Sequence, residues 1–178
     1  MTPRELEEYR ELRSTVRERG TARIWIFVSG VVAWAAATLA TAALAAPPVA
    51  TLVPLLVLAA VFEAIFTLHI AVERIGRYLQ VFFESEDEGL RKWEHSAMAF
   101  GAPKGSARLD PLFSITFALA ALVNVSPMTI AAPTAAELIF VGGAHALFLL
   151  RLAVAHEVAK KQRNVDLERF GVLKRGQQ

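Results

Sequence analysis

The sequence predicts an all-α, polytopic membrane protein: a four-transmembrane-helix bundle made of two antiparallel hairpins. Three observations predict it. Apolar residues other than glycine fill 54% of 178 positions and mean hydropathy is +0.41, more apolar than a soluble domain of average composition. Crossing about 30 Å of hydrocarbon takes roughly 20 apolar residues at the helical rise, and the runs 24–46, 49–72, 111–130 and 134–155 meet that need. The basic residues, finally, are one-sided. All 19 Lys and Arg fall in the N-terminal arm, at the end of the second run, in the 74–110 connector, late in the fourth run or in the tail. The turns 46–49 and 125–133 hold none.

By the positive-inside rule this places both termini and the connector in the cytoplasm and the two turns outside, as in a bacterial-type inner or plasma membrane. The lipid bilayer is the first expected partner. A net charge of +2 and a pI near 9.2 then reflect basic membrane flanks, and nucleic-acid binding is not expected.

Residues 1–21 read as a cytoplasmic amphipathic helix. Thr2-Pro3-Arg4-Glu5 is a capping box with Pro at the first helical position, Leu6, Tyr9, Leu12 and Val16 form one seam, and Gly20 is the expected stop. The seam suits a partner helix, the connector or lipid headgroups. The first span contains LATAALAA, which resembles a small-residue cleavage site, but its run exceeds a signal core and a densely charged arm precedes it. It reads as a retained span. Trp25 sits at its inner end as an interfacial anchor, and Trp34 deeper in as a packing or hydrogen-bonding side chain between helices.

The second span carries Glu63, and beyond it lie His69, Glu73, Arg74 and Arg77. At about 100° per residue Glu63, Arg74 and Arg77 share one side of the helix, with His69 and Glu73 on its flank. Arg74 and Arg77 are placed to snorkel to headgroups as interfacial anchors. In the connector an acidic cluster, Glu84 to Glu88, precedes Leu90, Trp93, Ala97 and Phe100 on one helical face, an interfacial helix anchored by Trp93. GAPKGS (101–106) breaks it and lacks phosphate-loop spacing; Asp110-Pro111 then caps the third, charge-free span.

Thr134-Ala135-Ala136-Glu137 is a second capping box and opens a span that carries His145 and Arg151. The tail, 157–178, extends that helix into the cytoplasm as far as Gly171. Pro54 and Pro127 can bend or end helices near the outer face. A faint internal repeat pairs TAR (21–23) with SAR (106–108) and AAPPVA (45–50) with AAPTAA (131–136), the pattern of two hairpins about an axis along the membrane normal.

Function is carried by few residues. Counted from the outer ends, Glu63 and His145 fall near mid-bilayer and Arg151 somewhat deeper, so an ionised Glu63 needs a partner across the second and fourth helices: His145 or Arg151. Gly142, Gly143, Ala144 and Ala146 would let those helices approach closely. Such a buried network is either an interhelical clamp or a route for protons or ions. A third reading gathers His69, Glu73, His156 and Glu157 at the cytoplasmic mouth as a metal site, or His69 and His156 as axial haem ligands. Without cysteine there is no disulfide or thiolate site, and no catalytic constellation or cofactor fingerprint occurs. The expectation is a non-enzymatic membrane scaffold or oligomer subunit, without cofactor, that associates with itself or with another membrane protein. The alternatives are a proton- or ion-coupled transporter using Glu63, His145 and Arg151, and a metal or haem protein.

Overall fold

The structure is a computed structural model and describes residues 1–44, 46–84, 93–94, 96, 112–130 and 133–176. The described residues are helical, with no strand among them: α1 Pro3–Ala43, a 3₁₀ turn Pro48–Thr51, α2 Leu52–Phe82, α3 Ser114–Ile130 and α4 Ala135–Arg175. Three of these segments are long and apolar enough to cross a membrane: α1, the stretch from the 3₁₀ turn through α2, and α4. Ser114–Ser126 in α3 is a shorter apolar stretch.

Both capping boxes form. Thr2 N–H donates to Glu5 Oε2 at 2.6 Å and Glu5 N–H to Thr2 Oγ1 at 3.2 Å; the bond from the Thr2 backbone holds the Glu5 carboxyl below its usual range. At α4, Thr134 N–H donates to Glu137 Oε2 at 2.9 Å and Glu137 N–H to Thr134 Oγ1 at 3.3 Å.

Several boundaries differ from expectation. Gly20 does not stop the first helix, which runs unbroken from Pro3 to Ala43. An interior glycine costs about 1 kcal/mol relative to alanine, and continuous hydrogen bonding on both sides outweighs that. For the same reason α4 passes Gly171 and ends at Arg175. The second helix extends ten residues past position 72 to Phe82, so the connector begins as helix. The third helix starts at Ser114 rather than 111, after Phe113, whose backbone adopts a left-handed φ of 54°. That conformation costs a non-glycine residue about 1–2 kcal/mol; the Phe113 ring stacks on Phe27, centroids 4.1 Å apart. Pro127 does not end α3. It leaves the Val123 carbonyl without its helical donor, and the neighbouring Ser126 Oγ donates there at 2.8 Å. Pro54 lies in the first turn of α2, where no intrahelical donor is lost. The expected connector face at Leu90, Ala97 and Phe100, the GAPKGS turn, the Asp110-Pro111 cap and parts of the internal repeat (45, 106–108 and 131–132) lie outside the described residues.

The chain divides into two compact units. One comprises Arg23–Thr67 and Asp110–His156. Its core joins Leu55, Leu58, Phe62 and Ile65 of α2 to Phe117 and Ala121 of α3 and to Phe148 and Leu152 of α4. Phe62 is fully buried, with Phe117 and Phe148 edge-on at 5.5 and 6.2 Å. Helix α1 packs on this core through Phe27 and Trp34 and approaches α2 most closely at Gly30, where a Cβ would lie 2.5 Å from both Val61 methyl groups. The Trp34 indole N–H is buried and meets no acceptor among the described residues, so this tryptophan packs rather than hydrogen-bonds.

The other unit comprises Met1–Ala22, Leu68–Leu109 and Glu157–Gln178. Of the α1 seam, Tyr9 meets Phe83 at 5.7 Å while Leu6 is exposed, and Tyr78 packs on Phe82 and Phe170 at 4.7 and 5.6 Å. Tyr78 donates to Glu8 at 2.8 Å; burial first, then Glu8, pushes its phenol up to about 12. Lys174 Nζ donates to the Val81 carbonyl at 2.6 Å, which satisfies an acceptor in the last turn of α2.

The Gly30–Val61 contact is directly testable. Gly30→Ala should lower unfolding free energy by about 1–3 kcal/mol through overpacking, whereas in a Val61→Ala background, where only the Cβ at 3.0 Å remains in the way, the same change should cost about 1 kcal/mol less. Equal losses in both backgrounds, measured by denaturant titration in detergent, would show that the helices do not meet at this point.

Candidate functional site

Glu63 and Arg151 form a two-pronged ion pair between α2 and α4. Arg151 Nε lies 2.8 Å from Glu63 Oε1 and Nη2 donates to Oε2 at 3.0 Å, the fork geometry that makes arginine–carboxylate bonds strong. The guanidinium carbon stands 4.4 Å from the Phe66 ring centre and 5.5 Å from that of Phe62, so two aromatic faces one turn apart seat the cation. Helix geometry explains the placement: Arg151 follows Phe148 by three residues on α4, and Phe148 meets Phe62, the neighbour of Glu63. The pair is not interior. The Glu63 side chain is 49% exposed and that of Arg151 31%, which corrects the expectation of a buried network.

His145 does not join this pair. It lies six residues before Arg151, about 240° around the helix, and so points elsewhere. Its Nδ1–H donates to the Val141 carbonyl at 2.9 Å and its Nε2 accepts from Asn124 Nδ2 at 3.0 Å. The same amide nitrogen donates to the Thr51 carbonyl at 2.8 Å. Two carbonyl acceptors thereby set both the amide orientation and the imidazole tautomer. Asn124 is 1% exposed, and its Oδ1 is buried with no partner among the described residues. This knot ties the 3₁₀ turn, α3 and α4 together. Sequence reasoning missed Asn124; the available signal was an amide inside a charge-free apolar run, a place where an unpaired polar group is expensive. The glycines near His145 also behave differently from expectation. A Cβ at Gly142 or Gly143 would meet nothing within 4 Å, so within one chain they do not mediate helix contact.

The unit built on Met1–Ala22, Leu68–Leu109 and Glu157–Gln178 holds a cluster of three arginines and three glutamates. Arg163 Nε meets Glu73 Oε2 at 2.7 Å, and Arg77 Nη2 lies 4.0 Å from Glu73 and 3.8 Å from Glu94. Arg13 reaches Glu94 at 2.7 Å and Glu84 at 3.9 Å. Glu84 in turn accepts the Glu94 backbone N–H at 2.9 Å, so one connector residue is clasped from α1 and α2. Beside the cluster Arg74 Nε meets Asp166 at 3.3 Å. Arg77 is 6% exposed, which corrects its expected role as a headgroup anchor: acidic partners one turn back and on the connector hold it inside. Burial pulls its guanidinium below the ordinary arginine value, whereas bonds to Tyr9 and Glu94 outweigh burial at Arg13 and raise it. Arg74 keeps an exposed side chain, and Trp25 and Trp93 are both exposed.

The mouth-side metal set is not assembled. Glu73 is engaged by Arg163 and Arg77, His69 is buried and Glu157 exposed, and Ser114 Oγ lies 3.4 Å from His156 Nε2. Among the described residues no three His, Cys, Asp or Glu side chains gather closely enough to hold a metal ion. Comparison with known proteins yields no match, whether to a family model, a curated protein or a solved structure.

The arginine–glutamate cluster yields a stability prediction. Glu94→Ala strips Arg77 and Arg13 of a shared carboxylate and should destabilise the protein by about 1–3 kcal/mol, less than the penalty for a fully uncompensated charge because Arg77 keeps Glu73 at 4.0 Å and Arg13 keeps Glu84 at 3.9 Å. Chemical denaturation checks it, and a loss below about 1 kcal/mol would reduce the cluster to surface decoration.

Proposed function

We propose that this protein crosses the membrane four times, with both termini and the connector on the cytoplasmic side of a bacterial-type inner or plasma membrane. It serves there as a non-enzymatic scaffold or as a subunit of an oligomer. Three long apolar helices support the membrane location. The 17 residues of α3 extend about 26 Å at the helical rise, close to one hydrocarbon thickness, and make the fourth crossing. The basic flanks support the orientation.

One observation carries the oligomer reading: the half-exposed Glu63–Arg151 pair. Glu63 lies eleven residues into α2, about 17 Å along the axis. At that depth a lone chain would present an ion pair to acyl chains that offer neither hydrogen bonds nor dielectric screening. A second protein surface removes the exposure. The flanking residues are apolar, with Leu56 on α2 and Leu147 and Leu150 on α4 all exposed, as an intramembrane contact requires. A pathway for protons or ions through Glu63, His145 and Arg151 has less support, because His145 is committed to Asn124 and Val141.

Reconstitution separates these readings. Purified protein should run as an assembly of more than one copy in mild detergent and in lipid nanodiscs, and proteoliposomes should show no gradient-driven proton or ion flux for wild type or Glu63→Gln. Flux in wild type that disappears in Glu63→Gln would replace the scaffold with a transporter.

A further inference from the structure

The ion pair has an unused side. A guanidinium carries five N–H donors, of which Arg151 spends one from Nε and one from Nη2 on Glu63. Three donors therefore meet no acceptor among the described residues, and each Glu63 oxygen keeps an open lone-pair direction. The outward face of the pair thus offers donors and acceptors together with no net charge. An anionic headgroup or solute would find the arginine already neutralised. A second copy of the same face would find every donor matched by an acceptor.

Symmetry makes that match geometrically available. Arg151 and Glu63 touch within one chain, so they lie at one depth in the bilayer. Rotation about the membrane normal preserves depth, and a two-fold mate therefore brings its own Glu63 and Arg151 to the same level. The relief around the pair also allows close approach. Ala60 and Ala64 flank Glu63 on the exposed side of α2, and Gly143, about two turns before Arg151, is exposed on α4, where a Cβ meets only open space. Small residues at such positions let helix backbones come together in lipid.

We propose that the α2–α4 face centred on Glu63 and Arg151 is a two-fold interface between copies of this chain, in which Arg151 of each copy also donates to Glu63 of the other. The proposal rests on the reading of the protein as an oligomeric membrane protein, and it names the surface and the partner. It makes the ion pair a shared four-charge ring.

The test exploits reciprocity. Neither Glu63→Gln nor Arg151→Gln retains the pair within a chain, but a mixed dimer of the two variants keeps one intact Arg151–Glu63 pair between copies. Donor- and acceptor-labelled protein in liposomes should associate about a hundredfold less well for either variant alone, the scale of losing both charge-assisted hydrogen bonds between copies, and mixing the variants, which restores one of the two, should strengthen association about tenfold over either variant alone. In otherwise wild-type chains, which contain no native cysteine, Gly143→Cys and Ala60→Cys should cross-link between copies, and Leu119→Cys on the exposed side of α3 should not. Absence of rescue on mixing, or cross-linking through Leu119 alone, overturns the interface while leaving an oligomer standing. A wild type that is monomeric at every protein-to-lipid ratio overturns both.

Discussion

A carboxylate and a guanidinium locked together on an apolar helix pair set the terms for the unit formed by Arg23–Thr67 and Asp110–His156. Hydrocarbon supplies no hydrogen bonds, so each polar atom there has to be satisfied by protein. The Glu63–Arg151 fork meets part of that condition by pairing the two charges, and its three remaining guanidinium donors are what the proposed second copy would satisfy. Neutral groups follow the same logic on a smaller scale. Ser29 donates to the Trp25 carbonyl at 2.7 Å and Thr38 to the Trp34 carbonyl at 2.9 Å, so hydroxyls in the apolar half of α1 fold back onto their own helix. Asn124 joins His145 to the 3₁₀ turn. Packing then follows, because the rings of Phe62 and Phe66 both seat the guanidinium and Phe62 also anchors the core.

Helices α1, α2 and α4 each contribute residues to both units, and their chemistry changes with the unit. Between Arg23 and Ala43 α1 carries no charge after its first residue, whereas Pro3–Ala22 is rich in Arg and Glu. In the charged unit, specificity comes from matching. Glu73, Glu84 and Glu94 oppose Arg13, Arg77 and Arg163, and the aromatic group of Tyr9, Tyr78, Phe82, Phe83 and Phe170 supplies the apolar contacts. Buried ion pairs contribute little net stability over apolar replacements, but each is costly to break singly, which suits them to setting helix register.

Much of the helical layout was legible in the sequence because it depends on local signals. Apolar run length and the two capping boxes follow from spacing along one helix, and the pairing options of Glu63 from depth counted along two. Gly20 and Gly171 misled because a glycine only lowers helix propensity, and the turns on either side decide whether the helix continues. The partner of His145 was hidden because Asn124 lies on another helix, and nothing in the spacing of α4 indicates which neighbour its inward face meets. Arg77 misled in the opposite sense. An arginine at the edge of an apolar run suggests snorkelling, but a carboxylate distant in sequence, Glu94, holds it inside.

In the proposed topology the chain threads a bilayer four times with its two ends on one side. Single cysteines in this cysteine-free sequence, probed with a membrane-impermeant maleimide on intact cells, test it most directly. Pro47→Cys and Pro133→Cys should react from outside, and Thr2→Cys and Gly176→Cys only after permeabilisation. Reaction of positions 2 or 176 in intact cells, or protection of both turns, would contradict it.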